Sequence, residues 1–176
     1  YPVWFRPTST ADGAHCIIDE DGACLAKMAK DSTFFDQTFF PYQDSYPNDF
    51  SKLPEAMNKV MWTTLAHSPW DHAHEPDFWQ KLRQNTLALR DQTDKALVIV
   101  CGCNLFEWGT FLRRIDNFLM DLLVDPARVE ALLDALMTIH LETLRNVCAA
   151  VGDVLQIIRF GDDLGMDNGP FISPQT

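Results

Sequence analysis

Near the carboxyl end of the chain, Gly161-Asp162-Asp163-Leu164-Gly165 combines residue types and spacing suited to acid–base chemistry. Two adjacent carboxylates bracketed by glycines are poorly suited to a core. Consecutive residues leaving a strand point in different directions, so one can face a site while the other holds loop backbone. Like charges this close tend to raise one of the two pKa values, which prepares that group to carry a proton. Asp162 and Asp163 are therefore the candidate catalytic pair, and the alternative is an Asp-Gly turn with solvated carboxylates. A second stretch, Asn104-Leu-Phe-Glu-Trp-Gly109, offers Asn104 and Glu107 to a polar substrate, with Phe106 and Trp108 as an apolar wall. Here the alternative is that the aromatics close the top of the fold and Glu107 begins a helix. Of Arg113 and Arg114, one reaches into the site for an anionic group and the other is a solvated charge; Arg113 takes the substrate role. Asn168, in the same loop as the aspartates, completes the substrate-binding set.

Metal-binding patterns are weaker. Cys101-Gly-Cys103 lacks a nearby second Cys or His pair, and a structural zinc site needs four ligands. His72-Ala-His74-Glu75 is bracketed by Pro69 and Pro76 and reads as a surface loop. His140 falls on the inner stripe of a helix and reads as a hydrogen-bonded core histidine. Asp19-Glu-Asp-Gly22 lacks the carboxylate spacing of a calcium loop and reads as a turn. No metal ligand is assigned within the chain, and no phosphate-binding glycine loop or nucleophile elbow is present.

The elements that must position these residues follow from periodicity. Val3 to Phe5, Cys16 to Ile18 and Cys24 to Met28 are short extended runs around the acidic turn, a hairpin decorating a larger fold. Glu55 to His67 has a helical pattern, and Phe78, Trp79, Leu82, Thr86 and Leu89 share one face of a second helix. Ala96 to Gly102 is a continuous β-branched run, as expected of a strand buried on both faces. A helix over Thr110–Val124 follows. Asp125-Pro126 then starts another to about Val151, with Val129, Leu132, Leu133, Leu136, His140, Leu144 and Val147 inward. Val154 to Phe160 is the next strand. Strand, helices, strand implies a right-handed parallel crossover, whose strand-to-helix loops hold the chemistry.

Bulk properties narrow the function classes. The net charge of −11 opposes phosphate backbones and anionic headgroups, so neither nucleic acid nor a membrane surface is the expected partner. Apolar runs are too short and too often interrupted to span a bilayer. Five cysteines without framework spacing suit reduced thiols in a cytoplasmic protein. Tyr1 is not a methionine, and Ser173-Pro174 is a helix start with almost no helix behind it, so an internal fragment is expected.

Three stretches resemble the uroporphyrinogen decarboxylase and corrinoid methyltransferase superfamily: Leu105-Phe-Glu-Trp-Gly-Thr-Phe-Leu-Arg-Arg, Asn117-Phe-Leu-Met-Asp-Leu-Leu-Val-Asp-Pro, and Arg159-Phe-Gly-Asp-Asp-Leu-Gly-Met-Asp-Asn-Gly-Pro-Phe-Ile-Ser-Pro174. The resemblance covers Asp77 to Thr176 well and the front more weakly. It implies an α/β chain forming part of a (β/α)8 TIM-type barrel, with its first strands before Tyr1 and its last after Thr176. Residues 1–40 are then a β-hairpin insertion, 41–76 an irregular linker with one helix, and 77–176 a partial barrel core truncated at both ends. The decarboxylases carry Ser-Trp-Ala-Gly where this chain has Asp163-Leu164-Gly165, which favours the methyltransferase branch. That branch implies methyl transfer between a small substrate and a corrinoid carried by a partner protein, with zinc held by ligands outside this chain, and a possible homodimer. The alternatives are cofactor-free decarboxylation of a tetrapyrrole, and a non-catalytic barrel that only binds a corrinoid or another small ligand.

Overall fold

The computed structural model describes residues 7–66, 70 and 72–175. The expected strand Val3 to Phe5, His67 and Pro69 lie outside the described residues. The chain is mixed α/β, with six helices and three small sheets among those residues, and no closed barrel forms.

The front is a four-stranded antiparallel sheet: β1 (Thr8–Ser9), β2 (His15–Ile18), β3 (Cys24–Met28) and β4 (Asp36–Gln37), in that order. The acidic segment between β2 and β3 is a turn, as its composition suggested. Asp19 Oδ1 accepts the N–H groups of Asp21 and Ala23 at 3.0 and 2.8 Å, and Gly22 supplies the left-handed φ of +81°. Ile17, Ala26 and Phe35 pack against Met61 and Leu65, forming a small core of their own.

The helical stretch expected over 55–67 is broken. Helix α1 (Leu53–Met57) stops at Asn58, and α2 (Met61–Ala66) begins after Val60, which is fully buried. Helix α3 (Phe78–Gln92) turns Trp79 and Leu82 inward as expected, whereas Leu89 is exposed. Arginines carry the lower part of its inner stripe. Arg83 donates to the Ala150 carbonyl at 2.8 Å and forks onto Asp153 at 2.6 and 2.8 Å. Arg90 donates to the Val154 carbonyl at 2.6 Å. Seven residues apart, both lie on one helix face and tie it to the chain leaving the long helix.

Strands β5 (Val98–Gly102) and β6 (Ile157–Phe160) pair in parallel, as the crossover reading required, with Val98 beside Ile157 and Val100 beside Arg159. Between them run α4 (Phe106–Arg113), α5 (Ile115–Val124) and the 26-residue α6 (Pro126–Val151). One sheet face, through Ile99, Cys101 and Ile158, packs on Val147 and Val151 of α6 and on α3. The other face, Val98, Val100 and Ile157, is about half exposed. Pro126 opens α6 as expected, and its inner stripe is buried at Val129, Leu132, Leu136, His140 and Val147.

The single helix expected over 110–124 is two. Arg114 sits at φ +70° and ψ +139°, a conformation that interrupts the hydrogen-bond ladder without glycine or proline. The bend folds α5 back on α4 so that Phe118 lies against Gly109, where a Cβ would come within 2.2 Å of the ring. Phe118, Leu112, Leu132, Leu136 and Leu53 are fully buried here, in the largest core cluster. After β6, β7 (Gly165–Met166) and β8 (Gly169–Pro170) form a tight hairpin, and residues 173–175 form a turn. No helix among the described residues is long and apolar enough to cross a membrane.

Candidate functional site

The carboxyl end of β5 is an unusual piece of backbone. Gly102 and Cys103 both have positive φ, +69° and +60°, and the ladder to β6 skips Cys101. A left-handed cysteine costs on the order of 1–2 kcal/mol. Its side chain is held by weak sulfur contacts to the carbonyls of Cys101 and His140. The double reversal turns the chain so that Asn104 comes under α6 and α4 can begin at once. His140 Nε2 lies 2.9 Å from the Asn104 carbonyl, which can only accept, so that ring nitrogen carries the hydrogen. The Asn104 amide donates to Glu107 Oε2.

Asp162 reaches this loop from the end of β6. Its Oδ2 accepts the N–H groups of Leu105 and Phe106, and its Oδ1 that of Glu107, all at 2.8 Å. These are the orphan donors of the α4 N-terminus, where negative charge is also favoured by the helix dipole. Leu105, the residue at the cap position, has no side chain able to do this. The loops after β5 and β6 thus meet at one end of the sheet, as the crossover required.

Around the loop lies a cavity of about 520 Å³. The end of β5 and Asn104, Glu107 and Trp108 form its floor and polar side. Trp62 of α2, Trp70, and Phe111 of α4 form aromatic walls, and Ile139, His140 and Thr143 of α6 close it. Trp70 is fixed by stacking on Trp79, centroids 6.0 Å apart and 17° between planes, and by donating Nε1–H to the Cys101 carbonyl at 3.1 Å. Trp108 and Phe111 meet nearly at right angles, 6.1 Å apart.

Electrostatics single out Glu107. Burial raises its pKa, the Asn104 hydrogen bond opposes that, and the charges of Asp163 and Asp162 push it further up. Burial lowers the pKa of His140, keeping the ring neutral against the opposing pull of the Asn104 carbonyl and the Asp162 charge. The Cys103 thiol is pushed up to about 11 by burial and by neighbouring Cys101, so it is neither a ready nucleophile nor a ready thiolate ligand.

The expected site residues therefore separate. Asn104, Glu107 and Trp108 line the cavity together. Asp162 does not face it with free oxygens, because three backbone donors occupy them; it is a positioning residue for α4. Asp163 is exposed and acts on Glu107 only through its charge. Phe106 is core rather than wall, packed between Phe118 and Phe171 with both centroids 5.6 Å away. Arg113 is consumed elsewhere: Nε bonds buried Asp121 at 2.6 Å, and Nη1 donates to the carbonyls of Tyr42 and Gln43 at 2.9 and 2.5 Å. Arg114 pairs with its neighbour Asp116. Asn168 is exposed at the β7–β8 turn. His72 and His74 lie in an exposed turn, with His72 Nδ1 2.7 Å from Glu75.

Sequence reasoning missed Trp62, Trp70 and Cys103 as lining residues, and His140 as a wall as well as a core group. Trp62 lies on α2, within the expected helical stretch, and Trp70 in the segment after it, and no local pattern marks residues on separate elements as neighbours. Among the described residues no three His, Cys, Asp or Glu side chains converge as a metal ion requires. Comparison with known protein families, characterised proteins and solved structures returned no match.

Proposed function

We propose that the protein is a methyl-transfer enzyme of the uroporphyrinogen decarboxylase-like type, its two parallel strands being part of a (β/α)8 barrel. A small substrate sits in the cavity at the end of β5, and its methyl group would pass as a methyl cation equivalent to a reduced, Co(I) corrinoid carried by a partner protein, the electron pair of the broken bond staying on the demethylated product. The observation that carries this reading is the placement of Glu107 among aromatic side chains in a half-open cavity at the carboxyl end of a parallel strand, the place where such folds put their chemistry. The three resembling stretches supply the reaction class.

Methyl transfer depends on holding one carbon in line with an incoming nucleophile, away from water. These residues suit that task. Glu107 holds the substrate's polar atom, Asn104 fixes the carboxyl, and the tryptophans exclude solvent. Zinc, which the resemblance implies, finds no ligand set among the described residues, so no role of Glu107 or Asn104 passes through it.

The test is methyl transfer to a corrinoid acceptor, measured beside carbon dioxide release from a porphyrinogen. Glu107→Gln should lower kcat/KM for methyl transfer by about 10²-fold, as loss of a charged positioning contact does. Asp163→Asn should leave it within about threefold, since an exposed side chain contributes only through a screened charge. Normal methyl transfer in Glu107→Gln removes the site assignment. Carbon dioxide release without methyl transfer replaces the reading with tetrapyrrole decarboxylation.

A further inference from the structure

The charge and wall chemistry of the cavity go further than its location. Its lining includes three tryptophans, Trp62, Trp70 and Trp108, and one phenylalanine, Phe111, with Glu107 as the acidic side chain among them. Among the described residues no lysine or arginine lines it; Arg159, which pairs with Val100, is exposed and stands outside the lining. His140 donates its Nε2–H to Asn104 and is neutral. Two further carboxylates, Asp162 and Asp163, lie close enough to bear on Glu107. An anion entering here would meet the Glu107 carboxyl, with the charges of Asp162 and Asp163 behind it, and no cation among the lining residues. A neutral apolar molecule would cover the half-buried Glu107 without compensating its charge.

The geometry points to a methylated ammonium group as the ligand head: we propose that this cavity binds a quaternary or tertiary methylammonium compound, its positive head against Glu107 and between the tryptophan rings. Aromatic faces attract such cations through the ring quadrupole, most strongly tryptophan, and the attraction grows when water is excluded. The methyl shell of the head suits the apolar walls, and a primary ammonium would be left with unfilled hydrogen bonds. Trp108 and Phe111 form a corner, and Trp70 is braced from behind by Trp79, so these walls are in place before a ligand arrives. The burial and the acidic neighbours that make ionised Glu107 costly in the empty cavity are also what a cation relieves. At about 520 Å³ the cavity holds more than the head alone, so the ligand carries a further group. As the methyl donor, this ligand rests on the methyl-transfer reading; as a ligand class, it rests on the cavity alone.

Choline, its neutral isostere 3,3-dimethyl-1-butanol and the anionic 3,3-dimethylbutyrate separate charge from shape. Binding is read by tryptophan fluorescence and by calorimetry. Choline should bind about tenfold or more tightly than the neutral alcohol, in line with a desolvated cation–π contact, and the butyrate should bind weakest. Glu107→Gln, nearly isosteric, should reduce the choline preference severalfold, and Trp108→Leu should reduce it again. Comparison of the three probes on the unaltered protein decides the matter even if Trp108→Leu fails to fold. Equal binding of choline and the alcohol, tighter binding of butyrate, or no saturable binding of choline overturns the proposal. Choline selectivity without methyl transfer in the enzymatic assay leaves the ligand class standing and removes the reaction. Methyl transfer without choline selectivity does the reverse.

Discussion

The loop after β5 and the loop after β6 leave the same end of the sheet and meet at Asp162, but they are built for different work. The first turns within two left-handed residues, starts a helix, and places Asn104 and Glu107 against a cavity where each has a fixed partner. The second sends one carboxylate into the first loop and then runs outward as an exposed hairpin from Asp163 to Pro170, with Leu164 and Met166 about 60% exposed. Adjacent aspartates thus hold unlike positions. Charge in a loop marks it as a place where polar groups are needed, while the direction of each side chain decides whether the need is chemical or architectural.

The sharpest way to break this contrast is at the far end of α4. The first loop is clamped at both ends of its helix, by Asp162 at the start and by the Arg113–Asp121 pair at the finish. That pair is 2.6 Å long, with side-chain exposures of 14% and 11%. Arg113→Ala would leave Asp121 buried and uncompensated, and strip donors from the Tyr42 and Gln43 carbonyls. A loss of about 3–5 kcal/mol is expected in urea unfolding. A loss below about 1 kcal/mol, the range of surface pairs, would show that the second clamp is not one.

Next in size is the direct comparison of neighbours. Asp162→Asn keeps one acceptor oxygen but turns an amide toward N–H donors and removes the charge at the helix start. It should cost about 1–3 kcal/mol. Asp163→Asn should fall within about 0.5 kcal/mol of the parent. Equal effects at the two positions would erase the distinction between them.

The smallest expected effect is in pH dependence. Burial holds His140 below its ordinary pKa in the folded chain, so the unfolded chain binds more protons as pH falls past about 6.5. Stability should therefore decline as pH drops from about 7.5 towards 5.5. Glu107 has the opposite sign, since its raised pKa makes the folded chain the better proton binder above the usual glutamate range. The decline should be smaller in His140→Gln, which can keep a donor to Asn104 without titrating. An identical pH slope in the two proteins would remove His140 as its source.

The parallel strands and α6 were legible because their signals are repeated. The α6 stripe recurs over about five turns from Val129 to Val147, and Ala96–Gly102 is apolar with β-branched residues at its centre, so single exceptions do not obscure either. The break at Arg114 was not legible, because a left-handed arginine carries no compositional mark and is set by how Phe118 packs on Gly109. Leu89 was expected inside on periodicity, and Arg83 and Arg90 displaced it by finding carbonyl and carboxylate partners 64 to 70 residues away. At the site, Asn104, Glu107 and Trp108 were found because they follow a strand. Phe106 and Arg113 were placed there for the same reason, and turned out to face the core on the other side of the same helix. Helix rotation separated them, and a three-residue loop does not reveal its phase.

Asp162 stands 55 to 57 residues from the amides it serves. Closing a chain segment that long costs roughly 3–4 kcal/mol of entropy, far more than a local cap would. The first turn of α4 is therefore incompletely satisfied until α5 and α6 have formed and β6 has settled beside β5. In the language of folding pathways, the polar end of the cavity belongs to the last contacts made and the first released. Weakening it hastens unfolding while leaving the rate of folding almost untouched. Nascent chains that have not yet produced residue 162 have the residues of the cavity floor without the contact that holds them in place.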